Sequence, residues 1–156
     1  MKKLEKAIFA AGCFWGVQAS FDKVKGVVKT LVGYTGGKFK NPCYEDVCSQ
    51  ATGHAEAILI EYDSSKIKYE ELLDIFWKIH DPTQLNRQGP DIGSQYRSSI
   101  FYFNEKQKET ALNSRKKQEK LIKNKIATEI VKSSEFYKAE DYHQKYYLTH
   151  PVVCHI

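Results

Sequence analysis

The sequence predicts an α+β fold: a ferredoxin-like split βαβ core with an added strand, further helices and a C-terminal tail carrying a cysteine. Three observations lead there. Hydrophobic periodicity changes in the order strand, helix, strand, strand, helix, strand over the first two thirds of the chain. Glycines and prolines interrupt the pattern where turns are required. A length of 156 residues with 42% hydrophobic content suits one core, so residues 1–156 are expected to form a single domain.

Taken in order, Lys6 to Ala11 is a short apolar run ending at Gly12, as in a buried strand followed by a turn. Phe14, Val17, Phe21 and Val24 recur at spacings of three and four, which predicts a helix that Gly26 ends. Val27 to Tyr34 reads as a strand. Gly33 to Gly37 then opens a long loop that carries Pro42, Cys43, Tyr44 and Cys48 and closes at Gly53. From Ala55 to Tyr62 the residues alternate as a strand, and Glu56 falls on the same face as Ile58, Ile60 and Tyr62. Tyr69, Leu72, Leu73, Phe76 and Ile79 mark a second amphipathic helix, stopped by Asp81-Pro82. After a polar loop come a strand at Arg97 to Phe103, a lysine-rich helix near Glu105 to Lys123, a strand at Ala127 to Val131 and a final helix near Phe136 to Tyr147.

Charge and hydropathy exclude several function classes. The net charge of +5 comes mainly from lysines, many of them between Lys106 and Lys132, where Glu105, Glu109 and Glu119 are interspersed. That mixture describes a solvated helix face, so no nucleic acid partner is expected. No segment approaches the ~20 apolar residues of a membrane span. Lys2, Lys3 and Lys6 before Ala7 to Ala11 superficially resemble a lipoprotein signal ending at Cys13. The apolar stretch is shorter than the ~7–15 residues of a secretory core and runs on into Phe14 and Trp15, so a cytoplasmic location is expected. In a reducing compartment the four cysteines, Cys13, Cys43, Cys48 and Cys154, point to catalysis or metal binding before structural disulfides.

Cys13 is the sharpest feature. It lies in Gly12-Cys13-Phe14-Trp15-Gly16, where a strand ends and a helix begins. The unpaired N–H groups and positive dipole end of a helix favour a thiolate, the nucleophilic form. Flanking glycines allow close approach, and Phe14 and Trp15 supply an apolar wall beside the sulfur. Glu56, a carboxyl on an apolar strand face, loses solvation, which raises its pKa and equips it to donate a proton near neutral pH. The loop from Arg87 to Ser98, with Asp91 and Tyr96, is rich in hydrogen-bonding groups and suits ligand recognition.

Together, Gly12-Cys-Phe-Trp-Gly16, Gly53-His-Ala-Glu56, Phe76-Trp77 with His80-Asp-Pro82, and Gln95-Tyr-Arg-Ser98 resemble the signatures of the peptide methionine sulfoxide reductase A family, in that family's order. The resemblance implies reduction of the S epimer of methionine sulfoxide, free or in proteins, with no metal or bound cofactor, as repair after oxidative damage. It implies that Cys13 is the nucleophile, Glu56 the acid that protonates the sulfoxide oxygen, and Tyr44 and Tyr96 the hydroxyls that hydrogen-bond that oxygen. Phe14 and Trp15 match the methyl pocket, and Asp91 an acidic residue that helps orient substrate and the later partner thiol. Cys154 resembles the resolving cysteine, pairing with Cys13 in a disulfide that thioredoxin reduces; a monomer is expected.

Two positions depart from the family pattern. Cys43 stands where threonine is usual, either as a small packing residue or as a second thiol able to trap a sulfenic acid. Gln50 stands where glycine is frequent. Cys48 and His54 are read as packing and hydrogen-bonding residues. A zinc site built from Cys43, Cys48, His54 and Cys154 is disfavoured, because their spacing lacks the paired units of structural zinc sites. A thiol peroxidase is the nearer rival, since it too would pass through a sulfenic acid.

Overall fold

The computed structural model describes residues 3–146. Its elements are β1 (Leu4–Ala11), α1 (Phe14–Asp22), β2 (Val27–Thr35), α2 (Tyr44–Cys48), β3 (Ala55–Asp63), α3 (Tyr69–Lys78), β4 (Arg87–Gln88), β5 (Asp91–Ile92), β6 (Ser98–Tyr102), α4 (Glu105–Ile122), β7 (Glu129–Lys132) and β8 (Tyr137–Lys138). Six strands form one sheet in the order β7-β6-β1-β3-β2-β8, and β4 pairs with β5 as a separate hairpin. The inner four, β6-β1-β3-β2, are antiparallel throughout, which is the split βαβ arrangement that the element order predicts. β7 runs parallel to β6, with α4 as the crossover a parallel pair needs.

Alternation sorts the strand residues onto two faces. Phe9, Val32, Ile58, Ile60 and Ile100 meet Phe21 of α1 and Leu72 and Phe76 of α3 in the main core. Phe9 lies at its centre, with ring centroids 5.8 Å from Phe21 and 5.1 Å from Phe76. Burying an aromatic side chain of this kind stabilises the fold by roughly 2–3 kcal/mol, so the Phe9 contacts hold both helices against one face of the sheet. Ile8, Ala10, Ala55, Ala57 and Phe101 form a smaller cluster with Leu59 and Phe136 on the other face. His80 joins α3 to β6, its Nδ1 2.7 Å from the Phe76 carbonyl and its Nε2 2.7 Å from Ser98 Oγ. Burial pushes its pKa down to about 4, so it serves as a neutral staple.

One predicted element is different. In place of a final helix near Phe136 to Tyr147, the described part of that segment forms the short strand β8 and a 3₁₀ turn at Asp141–His143. The edge of β2 recruits it. Tyr137 pairs with Tyr34, the Ala139 N–H donates to the Val32 carbonyl, and a Cβ on Gly33 would stand 2.3 Å from the Tyr137 carbonyl oxygen. The Gln144 amide then extends the ladder, accepting from the Val32 N–H and donating to its carbonyl. Sheet hydrogen bonds thus satisfy the backbone that a helix would otherwise have satisfied internally. Two short elements also lie inside predicted loops, α2 and the β4–β5 hairpin. Among the described residues no helix is long and apolar enough to cross a membrane.

Candidate active site

Antiparallel pairing brings the end of β1, the start of β3 and the start of β6 to one end of the sheet. Cys13 follows β1 there as the N-cap of α1, and it is half-buried. Gly12, just before it, has φ +96°, a left-handed conformation that favours glycine. A Cβ on Gly12 would also meet Gln88 Cγ at 2.8 Å. Gln88 cannot easily move, because its amide accepts from the Asp81 N–H at 2.8 Å and donates to the Asp81 carbonyl at 2.9 Å. The β4–β5 hairpin is thereby pressed against the turn that presents Cys13.

Glu56, the second residue of β3, is 1% exposed. Its Oε1 accepts from the backbone N–H of Phe14 at 3.2 Å, which sets the carboxyl against the first turn of α1 beside Cys13. Its Oε2 is buried and without a hydrogen-bond partner among the described residues. Desolvation pushes the pKa up to about 8, with the negative charge of Asp91 adding to the effect and the Phe14 N–H opposing it. A carboxyl in this state carries a proton at neutral pH, and its unpartnered oxygen is where that proton can be given up.

The two tyrosines come from opposite sides. Tyr44 opens α2, whose N-cap Cys43 has its N–H and thiol both directed to the Asp46 carboxylate, at 2.9 and 3.2 Å. The Tyr44 N–H donates to Glu140 Oε2, while Glu140 Oε1 accepts from Tyr34 OH, so Glu140 ties α2 to β2. Tyr96 ends a 3₁₀ turn held by Arg97, whose guanidinium reaches Glu129, the Ser94 carbonyl and the Gly53 carbonyl at 2.8–2.9 Å. Burial raises both phenol pKa values. Lesser contributions to Tyr96 come from Glu56, Asp91, Cys48 and Cys13, and among those to Tyr44 are Cys48, Tyr96 and Glu56. The phenols therefore stay protonated as hydrogen-bond donors around Glu56. Asp91, at the start of β5, is half-buried, and burial raises its carboxyl too.

Phe14 is 1% exposed, against Tyr34 and His143 with ring centroids 5.7 and 5.2 Å away. Trp15 is half-buried, its indole stacked on Tyr146 at 3.8 Å. Seven of the eight residues singled out in the sequence thus surround one end of the sheet or abut it, and the eighth, Cys154, lies outside the described residues. Cys48 differs from its expected packing role: it is exposed, and, after burial, it contributes to the raised pKa of the Tyr44 phenol. His54 is structural as expected. Its Nδ1 accepts from the Gly37 N–H, and Nε2 pairs with the Phe39 carbonyl, which leaves neither nitrogen for a metal. Among the described residues no group of three or more His, Cys, Asp or Glu is placed to hold a metal ion.

Glu140 and His143 were not found by sequence reasoning. The available signal was the run Ala139-Glu-Asp-Tyr-His-Gln144, polar and lacking the apolar spacing of a core-facing helix. Gln50 has φ +64°, in the left-handed region that favours glycine.

The Gly37 turn that His54 holds has no spare room. A Cβ there would lie 2.3 Å from the Thr52 carbonyl oxygen and 2.5 Å from the His54 nitrogen. Gly37→Ala is expected to cost about 1–3 kcal/mol, lowering the thermal midpoint by roughly 2–10 °C for a domain of this size. Gly53→Ala, whose Cβ meets only the Gly37 Cα at 3.4 Å, should cost less despite its positive φ. Calorimetry of the two variants checks the order.

Comparison with known proteins follows the same lines. A family model described as peptide methionine sulfoxide reductase matches residues 5–156. The chain is 62% identical over 146 residues to a peptide methionine sulfoxide reductase MsrA of Methanosarcina acetivorans, covering 92% of this chain and 78% of that protein. The fold superimposes on the reduced form of Mxr1 from Saccharomyces cerevisiae with TM-score 0.93 and 35% identity, over 97% of this chain and 88% of that one. Mxr1 in complex with Trx2 is similar with TM-score 0.67 and 29% identity, over 92% and 85% of the two chains.

Proposed function

Since the chain belongs to the peptide methionine sulfoxide reductase family, we propose that it reduces methionine (S)-sulfoxide, free or in proteins, through a covalent cycle centred on Cys13. The Cys13 thiolate attacks the sulfoxide sulfur while Glu56 gives its proton to the oxygen. In the Sγ–S adduct so formed the hydroxyl passes from the methionine sulfur to Cys13 Sγ; the S–O and Sγ–S bonds break, a new Sγ–O bond forms, and methionine leaves with the electron pair of the Sγ–S bond, so that Cys13 is left as a sulfenic acid. Tyr44 and Tyr96 donate hydrogen bonds to the oxygen as charge develops on it, Asp91 helps orient substrate, and Phe14 and Trp15 enclose the methyl group.

The observation that carries this reading is the Glu56 carboxyl, buried and protonated at neutral pH, with one oxygen on the Phe14 N–H and the other unpartnered. A sulfoxide oxygen is a poor leaving group unless protonated, and general acid catalysis typically contributes about 10²–10⁴-fold. The cycle closes when the Cys154 thiol condenses with the sulfenic acid, releasing water and forming a Cys13–Cys154 disulfide. A dithiol then reduces that disulfide by exchange. The similarity to a structure of Mxr1 with Trx2 supports thioredoxin in this role. Electrons come from thiols, so the cycle needs no bound cofactor. Residues 1–156 act as one unit, a monomer working in the cytoplasm in protein repair.

The test is a single turnover without reductant, followed by mass spectrometry of the protein. Wild type is expected to release about one methionine per chain and to acquire a Cys13–Cys154 linkage. Cys154→Ser should release the same amount, retain the oxygen on Cys13 and stop turnover driven by thioredoxin. Full turnover by Cys154→Ser would transfer the resolving role to Cys43 or to direct reduction. Rapid peroxide consumption with no methionine released would favour the peroxidase instead.

A further inference from the structure

Tyr142 takes no part in the reaction above, yet it stands beside the site. It is the middle residue of the 3₁₀ turn Asp141–His143, and it is 54% exposed. Its ring packs on His143 with centroids 4.1 Å apart, and the His143 ring in turn lies 4.8 Å from that of Tyr44. Glu140 Oε2 joins the same two tyrosines directly, accepting from the Tyr44 N–H at 3.0 Å and from the Tyr142 hydroxyl at 3.5 Å. The exposed ring is therefore one residue away from a phenol of the site and forms part of its rim.

The charge around this ring is opposite in sign to the +5 of the whole chain. The two segments that frame it, 43–48 and 135–143, carry Glu45, Asp46, Glu135, Glu140 and Asp141 against a single lysine, Lys138. That lysine is taken up by Asp141 at 3.3 Å, and Asp46 by the Cys43 N–H and thiol. Glu140 is fixed between Tyr34, Tyr44 and Tyr142. Glu45, next to Tyr44 in α2, is exposed. Burial, Glu140 and Glu45 together raise the Tyr142 phenol, which keeps it a neutral ring with negative charge at its edge.

An exposed aromatic ring bordered by carboxylates is complementary to a Lys or Arg side chain, because the ring face attracts the cation and the carboxylates pair with it. Methionine sulfoxide within a protein brings its neighbours to this rim. Consecutive Cα atoms are about 3.8 Å apart, so a residue beside the oxidised methionine lies at the mouth of the site while the sulfoxide is at Cys13. A basic neighbour can lay its methylenes on the Tyr142 ring and keep its charge beside Glu45, whereas an acidic neighbour meets like charge. We infer that Tyr142 and Glu45 form a rim subsite for a Lys or Arg residue adjacent to the oxidised methionine, so that basic segments are preferred to acidic ones. This rests on the proposed reduction of protein-bound sulfoxide at Cys13.

The test uses short peptides with a central methionine (S)-sulfoxide and Lys, Leu or Glu placed before or after it, with free methionine sulfoxide as the reference. At low salt, kcat/KM should be about 10-fold higher for Lys than for Glu on at least one side, with Leu between them. Raising the salt should shrink that ratio about 3-fold. Tyr142→Leu and Glu45→Gln should each lower it about 3-fold or more, chiefly through KM, and Tyr142→Phe, which keeps the ring, should retain it. All three variants should turn over free methionine sulfoxide within about 2-fold of wild type. Equal kcat/KM for the Lys and Glu peptides would overturn the inference, as would a preference for Leu over Lys, or a Lys preference that survives both Tyr142→Leu and Glu45→Gln. Peptide affinity is measured in parallel on Cys13→Ser, which binds without turning over. A wild type inactive on every sulfoxide would count against the proposed function, while the order of affinities for Cys13→Ser would still decide the subsite.

Discussion

Glu56→Gln is expected to slow sulfoxide reduction by about 10²–10⁴-fold while leaving alkylation of Cys13 close to the wild-type rate. Glutamine keeps the shape, and its carbonyl can still accept from the Phe14 N–H, but it has no proton to give. Because the Glu56 pKa is pushed up to about 8, mainly by burial, the protonated and competent form is lost as pH rises through that value. The reductive step of wild type should therefore fall on the alkaline side, and this limb should be missing from Glu56→Gln. Single-turnover methionine release between pH 6 and 10 measures both effects. Reduction by Glu56→Gln at the wild-type rate would remove Glu56 from the mechanism.

The same carboxyl makes stability respond in the opposite sense to the substitution. Between its unfolded pKa of about 4.3 and its folded value of about 8, the native state holds a proton that the unfolded state has released. Stability thus falls as pH rises across that window and reaches its full loss above pH 8. Glu56→Gln escapes this loss, so near pH 9 it should be more stable than wild type by on the order of 2–5 kcal/mol. A variant that is both slower and more stable is the expected signature of a group kept in an unfavourable setting for chemistry.

Burial of Glu56 was legible because strand alternation alone puts it in line with Ile58, Ile60 and Tyr62, and all three are in the main core. Cys13 was legible for a similar reason, since an apolar run ending in glycine before a 3.6-residue repeat can hardly be anything but a strand-to-helix turn. Local rules failed where a long-range partner decided the outcome. Phe136 to Tyr146 has enough helix-forming residues to suggest a helix, yet the vacant edge of β2, opened by Gly33, binds it as a strand and turn. With that segment came Glu140 and His143, whose contacts with Tyr44 and Trp15 span 96 and 128 residues of chain. No pattern within a window of ten residues encodes them. The β4–β5 hairpin was missed because two-residue strands carry no periodicity; it is defined by Gln88 gripping Asp81.

Cys13→Ser is the substitution with the largest expected effect, a fall of more than about 10⁴-fold to the limit of detection. The serine hydroxyl is of similar size and would occupy the same N-cap position, so the fold has no reason to change. What is lost is the anion: a helix N-terminus can stabilise a thiolate at neutral pH, but the far weaker acidity of an alcohol leaves almost no alkoxide there. Nor can the serine oxygen take up the transferred oxygen, as the cysteine sulfur does in becoming a sulfenic acid. Burial dominates the Glu56 pKa, with smaller contributions from the Phe14 N–H and Asp91, and none of these changes in the serine variant. A carbon-13 label on the Glu56 carboxyl should consequently titrate near pH 8 in both proteins. Titration in the ordinary carboxylate range in Cys13→Ser would show that the thiol, and not burial, holds the proton on Glu56. An unchanged titration with no methionine released would separate the two roles, with Glu56 supplying the proton and Cys13 the electron pair.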